Sequence, residues 1–381
     1  MKKNLYTSLI LFVLLISGCT NSETGQGTGT LNGELAYARK FSIDKYAGFT
    51  RLTVHDPWQN ASNSRFEYYV ADSGIVLPDS LQNNLVIRKP VRNVVIMSTT
   101  FLPFLDTLGE INSITGISGG NLVFDAALQK RIDNGSVREV GFDQRLNYEV
   151  LVDLQPDVVF LFGVQAGIVQ TVQKLKEINI PVVLCADYLE SHPLGRMEWI
   201  KFFSVFYGKE AMAANMFEGT RQRYTALADS LIQQTDKPKV MMGLPWKDIW
   251  YVAGGRSFAA ALISDAGGEY AFSDLDSKEA LPFDIEAVFT RCYDADIWIN
   301  PGVATSYATI LEHDTRFELL LPFKQNKIYA NSKRMGERGG NDYWESGILH
   351  PDLILKDLAA IFYESAETED LYYYMKLDQS N

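Results

Sequence analysis

Histidine and cysteine are scarce in this chain of 381 residues, which has four of the first and three of the second. His55, His192, His313 and His350 lie far apart and no C-x-x-C pair occurs. The closely spaced donors expected of a zinc or manganese site are therefore missing, and a binder of such bare ions stands only as a rival reading. Cys185 and Cys292 sit in the apolar settings VVLCAD and TRCYDAD, which read as buried free thiols. Basic residues are outnumbered, 35 Lys and Arg against 47 Asp and Glu, for a formal net charge of −12. Such a balance excludes a nucleic-acid partner, because nothing supplies the cationic surface that a phosphate backbone demands. No repeat array or long low-complexity tract is present. The 46% hydrophobic content is that of an ordinary globular protein, long enough for two domains with real cores.

Long apolar runs are also wanting. The stretch Leu9 to Ile16 holds about eight residues, against the roughly 20 that a membrane-spanning helix needs. Lys2 and Lys3 precede it and Ile16-Ser17-Gly18-Cys19 follows, the order of an export signal. Ile-Ser-Gly-Cys resembles the bacterial lipobox, which implies removal of residues 1–18 as a lipoprotein signal peptide and acylation of Cys19. Several acyl chains, at about 0.8 kcal/mol per buried methylene, anchor a protein stably. Residues 19–34, rich in Gly, Thr and Ser, read as a flexible tether. The expected location is the cell envelope, lipid-anchored at the periplasmic face of the cytoplasmic membrane.

Residues 35–90 carry short strand patterns such as Phe49 to Val54 and Phe66 to Val70 between turn signals, read as an added β-meander that covers an edge. Residues 91–190 form a first α/β lobe, 191–235 a linking helical segment, and 236–381 a second α/β lobe with a C-terminal helix. In the linking segment, after a break at Gly208-Lys209, Ala213, Phe217, Thr220, Tyr224, Leu227 and Leu231 recur at three- and four-residue spacing, the mark of a long amphipathic helix. Its flanks repeat one plan. A β-branched strand (Val94 to Met97; Lys239 to Gly243) leads to a helix and a Gly-Glu turn (Gly109-Glu110; Gly268-Glu269). A glutamate-headed helix (at Glu149; at Glu286) and a strand introduced by aspartate (Asp157; Asp296) follow. Two such lobes joined by one helix leave a groove between them, a common place for a ligand.

The lipobox, the doubled lobes and the units NYEVLVDLQPDVVFL and FDIEAVFTRCYDADIWIN resemble the substrate-binding lipoproteins of bacterial ABC importers. The group that carries ferric siderophores, haem and cobalamin is the most similar, with TLGEINSITGIS, YVAGGRSFAAALISDAGGEYAF and GGNDYWESGILHPDLILKDLAAIF as further matching pieces. The resemblance spans roughly 90–363. It implies a class III periplasmic binding protein fold, two Rossmann-like lobes on a single long helix. It further implies a monomer without cofactor or catalysis, which delivers an iron-siderophore, haem or corrinoid ligand to an ABC permease and its ATPase. In that family one glutamate per lobe docks onto permease arginines, and by motif position these are Glu149 and Glu286.

Large planar ligands call for aromatic faces and a few orienting polar groups. The loops after the strands offer Ser98, Thr99, Thr100 and Phe162 in the first lobe, and Trp246, Trp250, Tyr251, Arg256, Tyr307 and Trp344 in the second. Lys333, Arg334 and Arg338 bring positive charge near the mouth. A second rival is a serine hydrolase. Gly116-Ile117-Ser118-Gly119-Gly120 fits G-x-S-x-G after a strand, with Asn121 to Ile132 as the following helix, and Asp314 and His350 come later in the order such enzymes use. Doubled lobes have no place in that reading.

Overall fold

The computed structural model describes residues 35–81, 84–142, 145–364 and 370–378. Cys19, the signal peptide and the tether lie outside them. Among the described residues no helix is long and apolar enough to cross a membrane.

The chain opens with a four-stranded sheet of β1 (Phe41–Tyr46), β2 (Phe49–His55), β3 (Arg65–Asp72) and β4 (Val86–Lys89). The first three are antiparallel neighbours, as a meander requires, but β4 runs parallel to β3. The last connection, from β3 to β4, is therefore a crossover and not a hairpin, and the expectation of a plain meander fails at that strand. The expected covering of an edge has an atomic basis. Leu184 lies on the outermost strand of the first lobe, and its N–H donates to Tyr68 Oη at 2.9 Å. A bare sheet edge thus gains a partner from the added sheet.

The first lobe is an all-parallel sheet of β5 (Val94–Ile96), β6 (Ile114–Ile117), β7 (Arg138–Glu139), β8 (Val158–Leu161) and β9 (Val182–Leu184), in the order β7-β6-β5-β8-β9. The three strands β5, β8 and β9 are buried along their whole length and read as unbroken apolar runs, as strands covered on both faces do. The second lobe holds β10 (Lys239–Met242), β11 (Ile249–Val252), β12 (Glu269–Tyr270), β13 (Leu281–Asp284), β14 (Ile297–Ile299), β15 (Ile328–Ala330) and β16 (Met375–Lys376). Its main sheet runs β12-β10-β14-β15-β16, parallel except for β16. β11 and β13 form a separate antiparallel pair. β11 is an inserted strand read directly from the apolar run at residues 249–252, whereas its partner β13 carries a proline that hides it as a strand.

In each lobe the first parallel strand, β5 or β10, lies inside the sheet, with successive connections leaving on opposite sides. The duplication extends to single residues. The helix Leu102–Thr107 stops where Gly109 takes φ +71°, and Phe258–Asp265 stops where Gly267 takes φ +82°. Both ends carry the same pair of bonds: Glu110 N–H to Leu105 O with Gly109 N–H to Asp106 O, and Gly268 N–H to Ile263 O with Gly267 N–H to Ser264 O. That is the Schellman stop, which favours glycine at the left-handed position. Gly109 therefore matches Gly267, one residue away from the Gly-Glu alignment in the sequence. Asp157 and Asp296 also correspond. Asp157 accepts the N–H groups of Arg92 and Asn93 ahead of β5, and Asp296 accepts that of Lys239 at the start of β10.

Between the lobes run two short buried helices, Pro193–Met197 and Trp199–Val205, then the break at Gly208 and the 22-residue helix Glu210–Leu231. The long helix buries Ala213, Phe217, Thr220, Tyr224 and Leu231, and Leu227 is partly buried against the same core. It packs on Trp199–Val205 and on the C-terminal helix Pro351–Tyr363. Phe203 stacks on Phe104 at 4.7 Å and meets Phe160 edge-on at 4.9 Å, which fixes the linking segment to the first lobe. The N-terminal strip is fixed to it as well. Glu198 accepts the N–H groups of Ala36, Tyr37 and Ala38, and Glu190 those of Arg39 and Lys40.

Candidate functional site

In open parallel sheets, ligands sit beyond the carboxyl ends of the strands where connections diverge. Here those positions are the ends of β5 and β8 in one lobe and of β10 and β14 in the other. After β5, Ser98 Oγ caps the next turn by accepting Thr100 N–H at 3.2 Å and lies 2.7 Å from Thr100 Oγ1. Ser98, Thr99 and Thr100 are all half-buried. After β8, Phe162 is half-buried among Phe101, Phe142 and Tyr188, with ring centroids 6.1–6.4 Å away. Tyr188 Oη donates to Gly163 O at 2.8 Å. Burial first, then the carboxylates of Asp187 and of Glu279 from the second lobe, push the Tyr188 hydroxyl above its ordinary pKa, so it stays a donor.

The second lobe presents Trp246, Tyr251 and Trp344, exposed by 66%, 51% and 47%. Arg256 is half exposed and paired with Asp276 at 2.8 Å. Two of the aromatic candidates lie elsewhere. Trp250 is 1% exposed, packed against Trp298 and Phe317, with its indole N–H on Met242 O. Tyr307 is buried edge-on to Phe323, its hydroxyl donating to Asn326 Oδ1. Both belong to the core of the second lobe and have no face to offer a ligand. The alternation along β11 separates them from their neighbours, since Ile249 and Tyr251 point out while Trp250 and Val252 point in.

An open groove of ≈ 930 Å³ lies beyond β6 and β7. Gly119, Gly120 and Gly141 line it, with Phe142 and Arg145 beside them and Arg338 from the second lobe opposite. Phe142, on the wall of the groove, is also the neighbour of Phe162 at the end of β8, with ring centroids 6.1 Å apart. None of the ten ligand candidates read from the sequence lines it. Phe142 and Arg145 went unnoticed there; the signal available was an aromatic and an arginine in a loop just past a short strand. Glu139 occupies one side of the groove and accepts N–H groups from Gly119, Gly120 and Gly141. Of the three basic residues expected at the mouth, Arg338 pairs with Asp133 through two bonds and lines the groove, Arg334 binds Asp342, and Lys333 donates to Leu371 O.

The same bonds to Glu139 bear on the hydrolase pattern. Ser118 is buried, and the N–H of Gly119 directly after it, which an oxyanion hole would use, is already bound to the Glu139 carboxylate, as is that of Gly120. The helix begins only at Ala126, after a turn, so no nucleophile elbow forms. His350 sits at the head of the C-terminal helix, near Asp352 and Arg223, and burial lowers its pKa. Among the described residues no ionisable side chain hydrogen-bonds Ser118, and no group of three or more His, Cys, Asp or Glu is placed to hold a metal ion.

Glu149 and Glu286 occupy equivalent places. Each is the second residue of a capped helix, Tyr148–Leu154 after Asn147 and Ile285–Cys292 after Asp284. Both helices lead into the strand beside the inner one, β8 or β14, so each starts at the edge of the sheet where the strands end. Both glutamates are exposed, and Glu286 is paired with Arg316 at 3.1 Å.

Comparison with known proteins agrees with this architecture. An uncharacterised lipoprotein of Methanocaldococcus jannaschii is 28% identical over 310 residues, 78% of this chain and 72% of that protein. Among solved structures, a periplasmic haem-binding protein of Pseudomonas aeruginosa superposes with a TM-score of 0.57 at 15% identity, covering 76% of this chain and 99% of that one. An ABC-type Fe3+-hydroxamate transport protein of Saccharomonospora viridis gives 0.53 at 16% identity, over 72% and 93%. At these identities the superpositions speak for the fold alone. The family model described as periplasmic binding protein matches residues 94–321, more than half of the sequence, and with two switch-point lobes on one linking helix the chain belongs to the periplasmic binding protein family.

Proposed function

We propose that this chain is the solute-binding lipoprotein of an ABC importer. It captures an iron chelate, whether siderophore or haem, or cobalamin, outside the cytoplasmic membrane and hands it to the permease without altering it. The observation that carries this reading is that each lobe presents exposed or half-buried aromatic rings in the loops around its sheet: Phe142 and Phe162 on one lobe, Trp246, Tyr251 and Trp344 on the other. Such faces suit a large, flat, partly apolar solute. Ser98, Thr99 and Thr100 supply hydroxyls, while Arg145 and Arg256 supply cations for a carboxylate or phosphate on the solute. The four scattered histidines give a bare-ion binder little support, no cluster of donors being placed together among the described residues, and the bonds from Gly119 and Gly120 N–H to Glu139 count against a hydrolase.

Acylated Cys19 and the tether hold the protein at the periplasmic face, with lobes divided near residues 90, 190 and 235. Glu149 and Glu286 dock the two lobes onto permease arginines; Glu286 exchanges Arg316 for its new partner. Because the linking segment is packed into the core, closure on the solute is limited.

Purification from cells followed by an absorption spectrum tests the solute class, since corrins, haems and ferric catecholates absorb at distinct visible wavelengths. A colourless protein that binds none of haemin, cyanocobalamin and ferric enterobactin in titrations would remove the reading. Docking is tested by Glu149→Arg with Glu286→Arg: uptake should drop at least tenfold with solute binding unchanged, and unimpaired uptake would refute it.

A further inference from the structure

The lobes touch at a second place besides the linking segment, where a loop of the second lobe grips the first. Residues 334–342 form a small hairpin, with Met335 bridged to Asn341, Gly336 N–H on Gly340 O, and Asp342 N–H on Arg334 O. Just beyond it, Glu345 is 6% exposed and turns its carboxylate to the first lobe. Oε2 accepts Phe124 N–H at 2.8 Å and Oε1 accepts Asp125 N–H at 3.0 Å, across 220 and more residues of chain.

Three other contacts flank this one. The Arg334 guanidinium lies 5.5 Å from the Phe124 ring, and Arg338 grips Asp133 through two bonds of 2.7 and 2.9 Å. Gly340 lies against backbone, where a Cβ would come within 2.6 Å of the Val123 carbonyl and 2.7 Å of Leu122 O. The gripped stretch, Leu122 to Asp133, directly follows the groove residues Gly119, Gly120 and Asn121, and Arg338 lines the same groove.

We infer that residues 334–345 are a strap tying the second lobe to the first at the edge of the groove, with Glu345 as the positioning residue that sets how far the lobes part there. The contact suits a reversible tie. It consists of one carboxylate, one ion pair, one cation–ring contact and a glycine on backbone, and polar contacts of this kind open locally more easily than a packed core does. Glu345 is also held under tension. Its burial, helped by Asp342 and Asp125, pushes the carboxyl up to about 7, while the two N–H groups from the first lobe pull it down. The inference holds whichever solute fills the groove.

Spin labels on the lipidated protein at Asn121→Cys in the first lobe and Val303→Cys in the second, both exposed, report the separation by pulsed electron resonance. Hydrogen exchange is followed on the same protein. In Glu345→Ala the distance distribution should broaden towards longer values, and Phe124 and Asp125 amides should lose about tenfold or more of their protection. Amides of β5 and β10 should keep theirs. Gly340→Ala, which forces the same contact from the backbone side, should broaden the distribution too, and Glu337→Ala in the same loop should not. An unchanged distribution in both Glu345→Ala and Gly340→Ala would overturn the strap. So would equal loss of protection across both lobes, which would make Glu345 merely structural.

Discussion

Glu190 offers the sharpest quantitative test of the physical picture. Its carboxyl is buried beside Trp199 and pushed from its ordinary 4.5 up to about 7, chiefly by burial, against the opposing pull of the Lys40 and Arg39 N–H groups and the Trp199 indole. The folded protein thus holds this proton more tightly than the unfolded chain. Protonated Glu190 contributes its full stabilisation below pH 4.5, and that contribution is lost as pH rises through 7. The gap between the two values corresponds to ~3 kcal/mol as an upper limit.

The geometry says which neutral substitute fits. Oε1 accepts three donors, Lys40 N–H at 2.9 Å, Arg39 N–H at 3.0 Å and Trp199 Nε1–H at 3.1 Å, whereas Oε2 only shares Arg39. An amide oxygen at Oε1 keeps those bonds, and an NH2 takes the place of Oε2 as a protonated oxygen would. Glu190→Gln should therefore sit within about 1 kcal/mol of the parent at pH 5 and be more stable than it by ~2 kcal/mol at pH 8. Urea unfolding followed by tryptophan fluorescence at both pH values measures the difference. If the variant loses as much stability between pH 5 and pH 8 as the parent does, Glu190 is ionised throughout and the reasoning is wrong.

Two further predictions concern packing. Tyr68→Phe leaves the Leu184 N–H on the outer strand without its acceptor, so stability should fall by about 1–3 kcal/mol in urea unfolding, with exchange at Leu184 accelerated; an unchanged rate there would mean that the added sheet does not seal this edge. Cys185 and Cys292 are free and fully buried, and burial pushes the Cys292 thiol up to about 12. Neither should react with Ellman's reagent at pH 8 until denaturant is added, and prompt labelling of the native protein would contradict the packing around them.

Local chemistry made much of the fold legible. Three- and four-residue spacing marked the linking helix, and Gly109, Glu149, Asp157 and their counterparts marked a turn, a helix head and a strand start, because each acts through backbone groups within a few residues or at the adjacent strand. Periods of two and of 3.6 state which face is apolar, yet not which apolar face meets a solute. Trp250 and Tyr251 are adjacent aromatics after the same strand, and only the pairing of β11 with β13 sends one into the core and the other to the surface. The Gly-Glu repeat was visible, but its true register, Gly109 on Gly267, needed the helix ends.

What the sequence by itself determined is a doubled α/β body on one helix, with a glutamate at the head of an equivalent helix in each half. Tertiary structure decided the groove. Glu139, Phe142 and Arg145 reach it from one lobe and Arg338 from the other, and Glu345 binds amides more than 200 residues away. Such pairings join residues with no fixed sequence spacing, so composition and periodicity carry no trace of them. They exist only once burial has fixed both partners in place.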